Sequence, residues 1–278
     1  MRDTSQRFDP RQEMRRDDFE IFHNQDTRLD AVDLHHHDFY EVYLFLRGRV
    51  EWRIEGRLYR PQPGDLLLIS PMELHQVTVD PQAGPYERIV LWVGRRYLEG
   101  FGGGELARCF DGHTNRLHPP DIAPLRALLE RILDERAGQG YAADLCAEGC
   151  LLQLMALLNR TAQQCRETGE NSPLISRVLA YIHRHYPEEL SLDGLAGRFH
   201  VSKYYLSHEF SRQVGTSLYR YILLKRLQIA REMLLEGAAP TETAAACGFR
   251  DYPNFYRAFR ARYDCSPRDC ARSGGSLF

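Results

Sequence analysis

The last third of the chain carries one local unit twice, and that repetition constrains the fold more than any other feature. In the first copy LDGLAGRF reads as a short helix, HV as a tight turn and SKYYLSHEFSRQVG as a second helix. In the second copy TETAAACGF is the short helix and RDYPNFYRAFRARY the longer one. This is helix-turn-helix grammar: a supporting helix with a small central residue (Ala196, Ala245), a turn, then a helix with a polar and basic outer face. Leu206 and Phe210, like Phe255 and Phe259, are spaced i, i+4 and so share the inward face. Helix starts are expected at Ser172-Pro173, Ser191, Ser202, Ser217, Thr241, Asp251 and Ser266-Pro267, and a stop at Gly215.

Between the copies, Ser217 to Glu236 is one amphipathic stretch. Twenty residues at the helical rise span about 30 Å. Successive major-groove faces of B-DNA lie about 34 Å apart. One rigid helix can therefore present two reading helices to adjacent major grooves. The charge balance agrees: residues 173–278 hold 15 Lys+Arg and 10 Asp+Glu, while the rest of the chain holds 21 and 28. A basic third on an acidic body suits a polyanionic partner for that third.

Other classes are excluded or disfavoured. The chain has no run of eighteen apolar residues, so no membrane helix is expected. The opening MRDTSQRFDPRQEMRRDDFE is charged and has no apolar core for a secretory signal. Seven cysteines without a CxxC pair read as reduced cytosolic thiols, not as disulfides or a zinc site, which predicts a cytoplasmic protein.

Before the repeat the pattern is strand-like. FYEVYLFL (39–46), VEWRI (50–54), DLLLI (65–69), HQVTV (75–79) and RIVLWV (88–93) are separated by turn signals, and predict a β-barrel or sandwich. GFGGGE (100–105) reads as a flexible break. Helical spacing then predicts helices over about 123–137 and 144–164, the second with a broad apolar stripe to bury against the barrel, the first helix or another subunit.

From Leu190 to Arg272 the chain resembles the DNA-binding region of the AraC/XylS family of bacterial regulators. The resemblance rests on LSLDGLAGRFHVSKYYLSHEFSRQVGTSLYRYILLKRLQIAREMLL and ETAAACGFRDYPNFYRAFRARYDCSPRDC. Asp264, where the family usually has Gly, and Cys270, where it often has Tyr, depart from the pattern and bear on the cap after the second reading helix. The resemblance implies that Tyr204, Ser207 and His208 face bases from the first reading helix, and Pro253, Asn254, Tyr256 and Arg257 from the second. Asn suits adenine and Arg suits guanine. Lys203, Arg212, Lys225, Arg250 and Arg260 are assigned to phosphates, which add affinity but no sequence information.

In the N-terminal part, His35, His37 and Glu41 share strand parity, Gly48 follows, and nine residues separate PGD (63–65) from His75. This spacing resembles the two signature motifs of the cupin barrel. Three readings stand: a pocket that hydrogen-bonds a small polar effector, a divalent-metal site, or satisfied core residues. Sensor domains of the AraC/XylS family commonly use a cupin-like barrel, which favours the first. His35, His37, Glu41, Tyr43, His75 and Trp92 are thus the effector candidates, with a carbohydrate as the default ligand on family analogy, and no metal or other cofactor is expected. The whole reads as α+β in two domains, an N-terminal cupin-like barrel with flanking helices and a C-terminal all-α double helix-turn-helix. Residues 1–20 are expected as a mobile arm, 21–165 as the effector and dimerisation domain, 166–172 as linker and 173–278 as the DNA-binding domain. The function implied is that of a non-enzymatic, effector-controlled transcription regulator. Its partners would be double-stranded DNA, a second copy of the chain and, for an activator, RNA polymerase. The alternative is a cupin metalloenzyme with an accessory helical domain, against which the double helix-turn-helix argues.

Overall fold

The computed structural model describes residues 5–6, 13–111, 115–138, 140–164 and 173–275. The chain divides into two compact units, Met1–Glu170 and Asn171–Phe278. The expected linker, 166–172, lies outside the described residues.

In the first unit the organising strand is β4 (Phe39–Arg47), buried at every position from Phe39 to Phe45. A strand with both faces covered reads as a continuous apolar run, not as an alternation. It pairs antiparallel with β9 (Tyr86–Gly94) and β7 (Leu66–Ile69). The same sheet continues through β2 (Phe19–Asp26) to β1 (Ser5–Gln6) at one edge, and ends in β10 (Arg116–Leu117) at the other. A second sheet has the order β3 (Ala31–His35), β8 (His75–Val79), β5 (Val50–Ile54), β6 (Arg57–Tyr59).

Two cores follow from the period-2 alternation. Phe39, Tyr43 and Phe45 pack with Trp52, Ile54, Val77, Tyr86, Val90 and Trp92 between the sheets. Tyr40, Val42 and Leu44 pack with Ile89, Leu91 and Val93 on the opposite face. That outer face is covered by α1 (Arg95–Glu99), α2 (Ala123–Ala137) and α3 (Ala143–Gln164), through Leu98, Leu125, Leu129, Leu151 and Leu154. Each such Leu contributes about 1.5–3 kcal/mol by leaving water. Gly48 follows β4 at φ 114°, with its Cα side against the Tyr86 backbone, where an added Cβ would crowd.

Some expectations are corrected. Strands β2, β3, β6 and β10 were not foreseen, because FEIFHNQD and AVDLH carry charged residues that mask the alternation and the other two are very short. GFGGGE, expected as a flexible break, enters a run of 3-10 turns from Gly102 to Phe110. Some described residues of the stretch expected as a mobile arm make contacts with the β unit. Ser5–Gln6 pairs parallel with His23 and Asn24, the Arg16 amide donates to Glu20 at 2.9 Å, and Asp18 accepts from Arg136 at 2.7 Å.

The second unit is helical: α4 (Pro173–His185), α5 (Leu192–Arg198), α6 (Lys203–Val214), α7 (Leu218–Leu235), α8 (Pro240–Ala246), α9 (Tyr252–Tyr263) and α10 (Pro267–Gly275). Ser191, Ser202, Ser217 and Asp251 each accept a backbone N–H from the first turn they cap. Thr241 does not open a helix: α8 starts at Pro240, whose fixed φ suits the first position, after the uncapped Ala239. The small central residue of the second supporting helix is the buried Ala244, while the expected Ala245 is exposed.

The two turns are closed alike. His200 and Gly248 both take a left-handed conformation, at φ 55° and 77°. The next residue, Val201 or Phe249, then donates its N–H to Ala196 or Ala244, each at 3.0 Å. Asp264 ends α9 at φ 54°, a left-handed cap that a short polar side chain tolerates better than most.

Candidate effector chamber and nucleic-acid interface

The inner faces of the two sheets bring the N-terminal candidates together, though not as one strand. β3 ends at His35, His37 lies in the connection and Glu41 is inside β4. Strand parity does not bring these residues together: β3 ends at His35 and β4 begins at Phe39. His35 is the cross-strand partner of His75. Their ring centroids are 4.1 Å apart, and His37 to His75 is 4.8 Å. His37 stacks on Phe39 at 3.9 Å, Phe39 lies 4.7 Å from Trp92, and Trp52 lies 6.0 Å from His75 and 4.9 Å from Tyr43. All six candidates thus belong to one connected cluster between the two sheets.

Hydrogen bonds assign the tautomers, since a carbonyl oxygen only accepts. His35 Nδ1 donates to Asp33 O and His75 Nδ1 to Glu73 O, both at 2.7 Å. His75 Nε2 is left as a lone pair, buried and without a hydrogen-bond partner among the described residues. Burial, with His35 and His37 adjacent, pushes the His75 imidazole well below its ordinary range, so it stays neutral. His37 Nδ1 donates to Phe39 O at 2.9 Å, and its Nε2 lies 2.9 Å from Glu41 Oε2. One donor nitrogen from each of His35, His37 and His75 can be chosen so that all three lie within 4.8 Å of one another.

Further along the inter-sheet core, the Tyr43 hydroxyl donates to that of Tyr86 at 2.8 Å. Arg88, buried on the inner face of β9, is ion-paired with Asp26 and lies 4.2 Å from the Tyr86 ring centroid. Register places Asn24 opposite Arg88 and Glu20 opposite Trp92. Sequence reasoning missed Glu20, Asn24 and Asp26 because β2 was not recognised. Arg88 had one signal, a lone cation beside the apolar run IVLWV. Asp65 of the PGD motif is structural: fully buried, it accepts from Gln62 N, Arg116 and His118.

In the second unit the inward residues Leu206, Phe210, Phe255 and Phe259 are fully buried, which leaves the opposite faces of α6 and α9 outward. Tyr204, Ser207 and His208 line a shallow concavity of about 650 Å³ with Ser211 and Arg212. Pro253, Asn254 and Arg257 are exposed and Tyr256 is half-buried. Ser211 was missed; it lies four residues, one helical turn, after Ser207. Of the phosphate candidates, Lys203 contacts Asp193 at 3.3 Å, Arg212 is bound twice by Glu209, and Arg250 contacts Glu189. Such surface pairs are worth about 0–1 kcal/mol and yield readily to a phosphate. Lys225 is half-buried on α7 and Arg260 is exposed on α9. Arg226 instead donates to Tyr186 O and Glu188 O, fastening the loop after α4 to α7.

Two family descriptions match the chain: an AraC-like ligand binding domain over residues 20–155 and a helix-turn-helix domain over residues 195–273. Among curated proteins, the HTH-type transcriptional activator RhaS of Salmonella arizonae is 28% identical over 254 residues, spanning 86% of this chain and 87% of its own length. Among solved structures, the C-terminal domain of AraT, a response regulator from Geobacillus stearothermophilus, is 29% identical over 37% of this chain and 86% of that one, with a TM-score of 0.36. ToxT from Vibrio cholerae covers 92% of this chain and 98% of its own at 10% identity, with a TM-score of 0.39.

Proposed function

Because the chain belongs to the AraC/XylS family of transcription regulators, with an AraC-like ligand-binding domain before a double helix-turn-helix, we propose that it is a cytoplasmic, dimeric transcription activator. It binds DNA and answers to a small-molecule effector; it is not an enzyme. The proposal assigns base contacts to Tyr204, Ser207 and His208 on α6 and to Pro253, Asn254, Tyr256 and Arg257 on α9. Phosphate contacts go to Lys203, Arg212, Lys225, Arg250 and Arg260. The effector occupies the chamber lined by His35, His37, Glu41, Tyr43, His75 and Trp92, and a carbohydrate remains the default class.

The observation that carries the DNA assignment is the shared geometry of the two turns, with α7 between the reading helices. Its 18 residues run about 27 Å, close to the spacing of adjacent major-groove faces. The activator reading is supported by the likeness to RhaS, a transcriptional activator. The dimer reading is supported by α3, whose side away from the core shows Leu145, Gly149, Leu152 and Ala156 at intervals of four, three and four. That is the seam spacing of a two-helix contact, and Leu145 is 68% exposed.

Selection of sites from a random duplex pool tests the reading. A defined site spanning two adjacent major-groove segments, bound less well by Arg257→Ala, is expected. Binding indifferent to sequence with every candidate effector overturns the base-reading assignment.

A further inference from the structure

We propose that Cys265 and Cys270 are a thiol pair that a hydroperoxide closes to a disulfide, and that the bond acts on the end of the second reading helix, α9. The site lies apart from the inter-sheet cluster and from the base-facing residues.

The pairing follows from how α10 starts. Ser266 Oγ accepts from Asp269 N at 3.1 Å and donates to Asp269 Oδ2 at 2.5 Å, and Ser266 O accepts from Cys270 N at 3.0 Å. Ser266 is therefore the N-cap, Pro267 the first helical residue and Asp269 the third. That makes Cys265 the residue before the cap and Cys270 the fourth of the helix. These are the two positions whose side chains meet as the hydrophobic staple of a capped helix. Here both ends of the staple are sulfur. Cys270 is 5% exposed in the core that holds Leu227, Leu234, Phe255 and Phe259, and the half-buried Cys265 packs against the same core. Cys270 stands where the AraC/XylS family often has Tyr, so the second thiol is a feature of this chain and not of the shared fold.

The thiolate is the attacking form of cysteine, and it must be reached from solvent. Burial pushes Cys247, in the same core, up to about 11 and holds it protonated, which leaves Cys265 to attack. Its sulfur takes the outer oxygen of the hydroperoxide, the O–O bond breaks, an alcohol leaves (water, for hydrogen peroxide) and Cys265 becomes a sulfenic acid. The Cys270 sulfur then displaces water from it, loses its proton and forms the S–S bond. Two thiols and one hydroperoxide thus give one disulfide, one alcohol and one water, and the two electrons lost by sulfur reduce the O–O bond. Drawing the sulfurs from van der Waals contact to about 2.05 Å pulls Cys265 onto α10. Cys265 directly follows Asp264, the left-handed cap that ends α9 at φ 54° and that a non-glycine residue holds at a cost. Oxidation therefore loads the cap of the helix that carries Asn254 and Arg257, and specific DNA binding falls.

The test treats full-length protein with hydrogen peroxide, blocks remaining thiols with iodoacetamide and digests with trypsin in the absence of reductant. Arg262, Arg268 and Arg272 are cleavage sites, so the disulfide joins peptides 263–268 and 269–272, and mass spectrometry finds it directly. The linked pair is expected in oxidised wild type. It should vanish with dithiothreitol and in Cys265→Ser and Cys270→Ala, and persist in Cys146→Ser, which removes an exposed thiol of the first unit. A melting curve of each variant separates loss of the thiol from misfolding, and Cys265→Ser, at the half-buried position, tests the pair should Cys270→Ala fail to fold. Anisotropy on the selected duplex should show specific affinity falling by about 5–150-fold on oxidation, the usual range for coupled sites, recovering with dithiothreitol and unchanged in Cys265→Ser. Absence of the link, or Cys265 joined instead to peptide 232–250 with its Cys247, overturns the pair. A link that leaves affinity unchanged overturns its action on α9. Reduced protein that binds no duplex fails the regulator reading, while the peptide map still decides the pair.

Discussion

Arg257 donates a hydrogen bond from its guanidinium to Oδ1 of Asn254, 2.5 Å away on the same face of α9. Asn254 Nδ2 in turn donates to Asp251 Oδ2, and Asp251 caps the helix by accepting from Asn254 N at 2.7 Å. In the free protein Asn254 therefore spends both ends of its amide on orienting Arg257. Arg257→Ala should cost about 1–3 kcal/mol of specific binding and relax the preference at one base pair. Asn254→Ala should leave binding to mismatched sites closer to wild type than binding to the selected site. Fluorescence anisotropy on the two duplexes distinguishes them; equal losses on both would demote Arg257 to a phosphate contact.

Gly248 closes the second turn at φ 77°, and a Cβ there would stand 2.3 Å from Pro187 O. Gly248→Ala combines a left-handed penalty of about 1–2 kcal/mol with an overpacking cost of about 1–3 kcal/mol. The second helix-turn-helix should melt at lower temperature, with the Trp fluorescence transition of the β unit unchanged. His200 already holds the equivalent left-handed position as a non-glycine at φ 55°, and His200→Gly should be neutral or mildly stabilising to the first turn in a calorimetric melt.

Arg88 and Asp26 form an ion pair with side chains only 3% and 10% exposed. Asp26→Ala leaves a buried cation and should destabilise the β unit by about 3–5 kcal/mol, whereas joint replacement by apolar residues of similar volume should cost far less. Urea melts of the single and double variants measure the difference. Equal losses would mean that packing, not the charge, holds this corner.

Burial raises the Tyr86 hydroxyl to about 12 from its ordinary 10. The unfolded chain then releases this proton more readily than the folded one. The contribution is present in full below pH 10 and is lost as pH rises from 10 through about 12. Tm should fall across that window, and Tyr86→Phe should flatten the fall. A Tm independent of pH there would contradict the buried hydroxyl pair.

Leu145→Glu with Leu152→Glu places charge on the outer seam of α3. A shift of sedimentation from dimer to monomer is expected, with an unchanged far-UV spectrum. Retention of the dimer would place the contact elsewhere.

The double helix-turn-helix was legible from the sequence because its signals are local. Ser191, Ser202, Ser217 and Asp251 cap the turns that follow them, and Leu206, Phe210, Phe255 and Phe259 repeat at one helical turn. The five apolar strands were legible for the same reason. What only the tertiary structure decided is which side chains meet across distance. The partnership of His35 with His75 depends on β3 lying beside β8, and that of Asp26 with Arg88 on β2 lying beside β9. Neither strand announces itself: FEIFHNQD buries Glu20 and pairs Asp26 with Arg88, while AVDLH alternates around an exposed Asp33. A charged residue reads as solvent-facing until the group that neutralises it is in place, and strand pairing supplies that group.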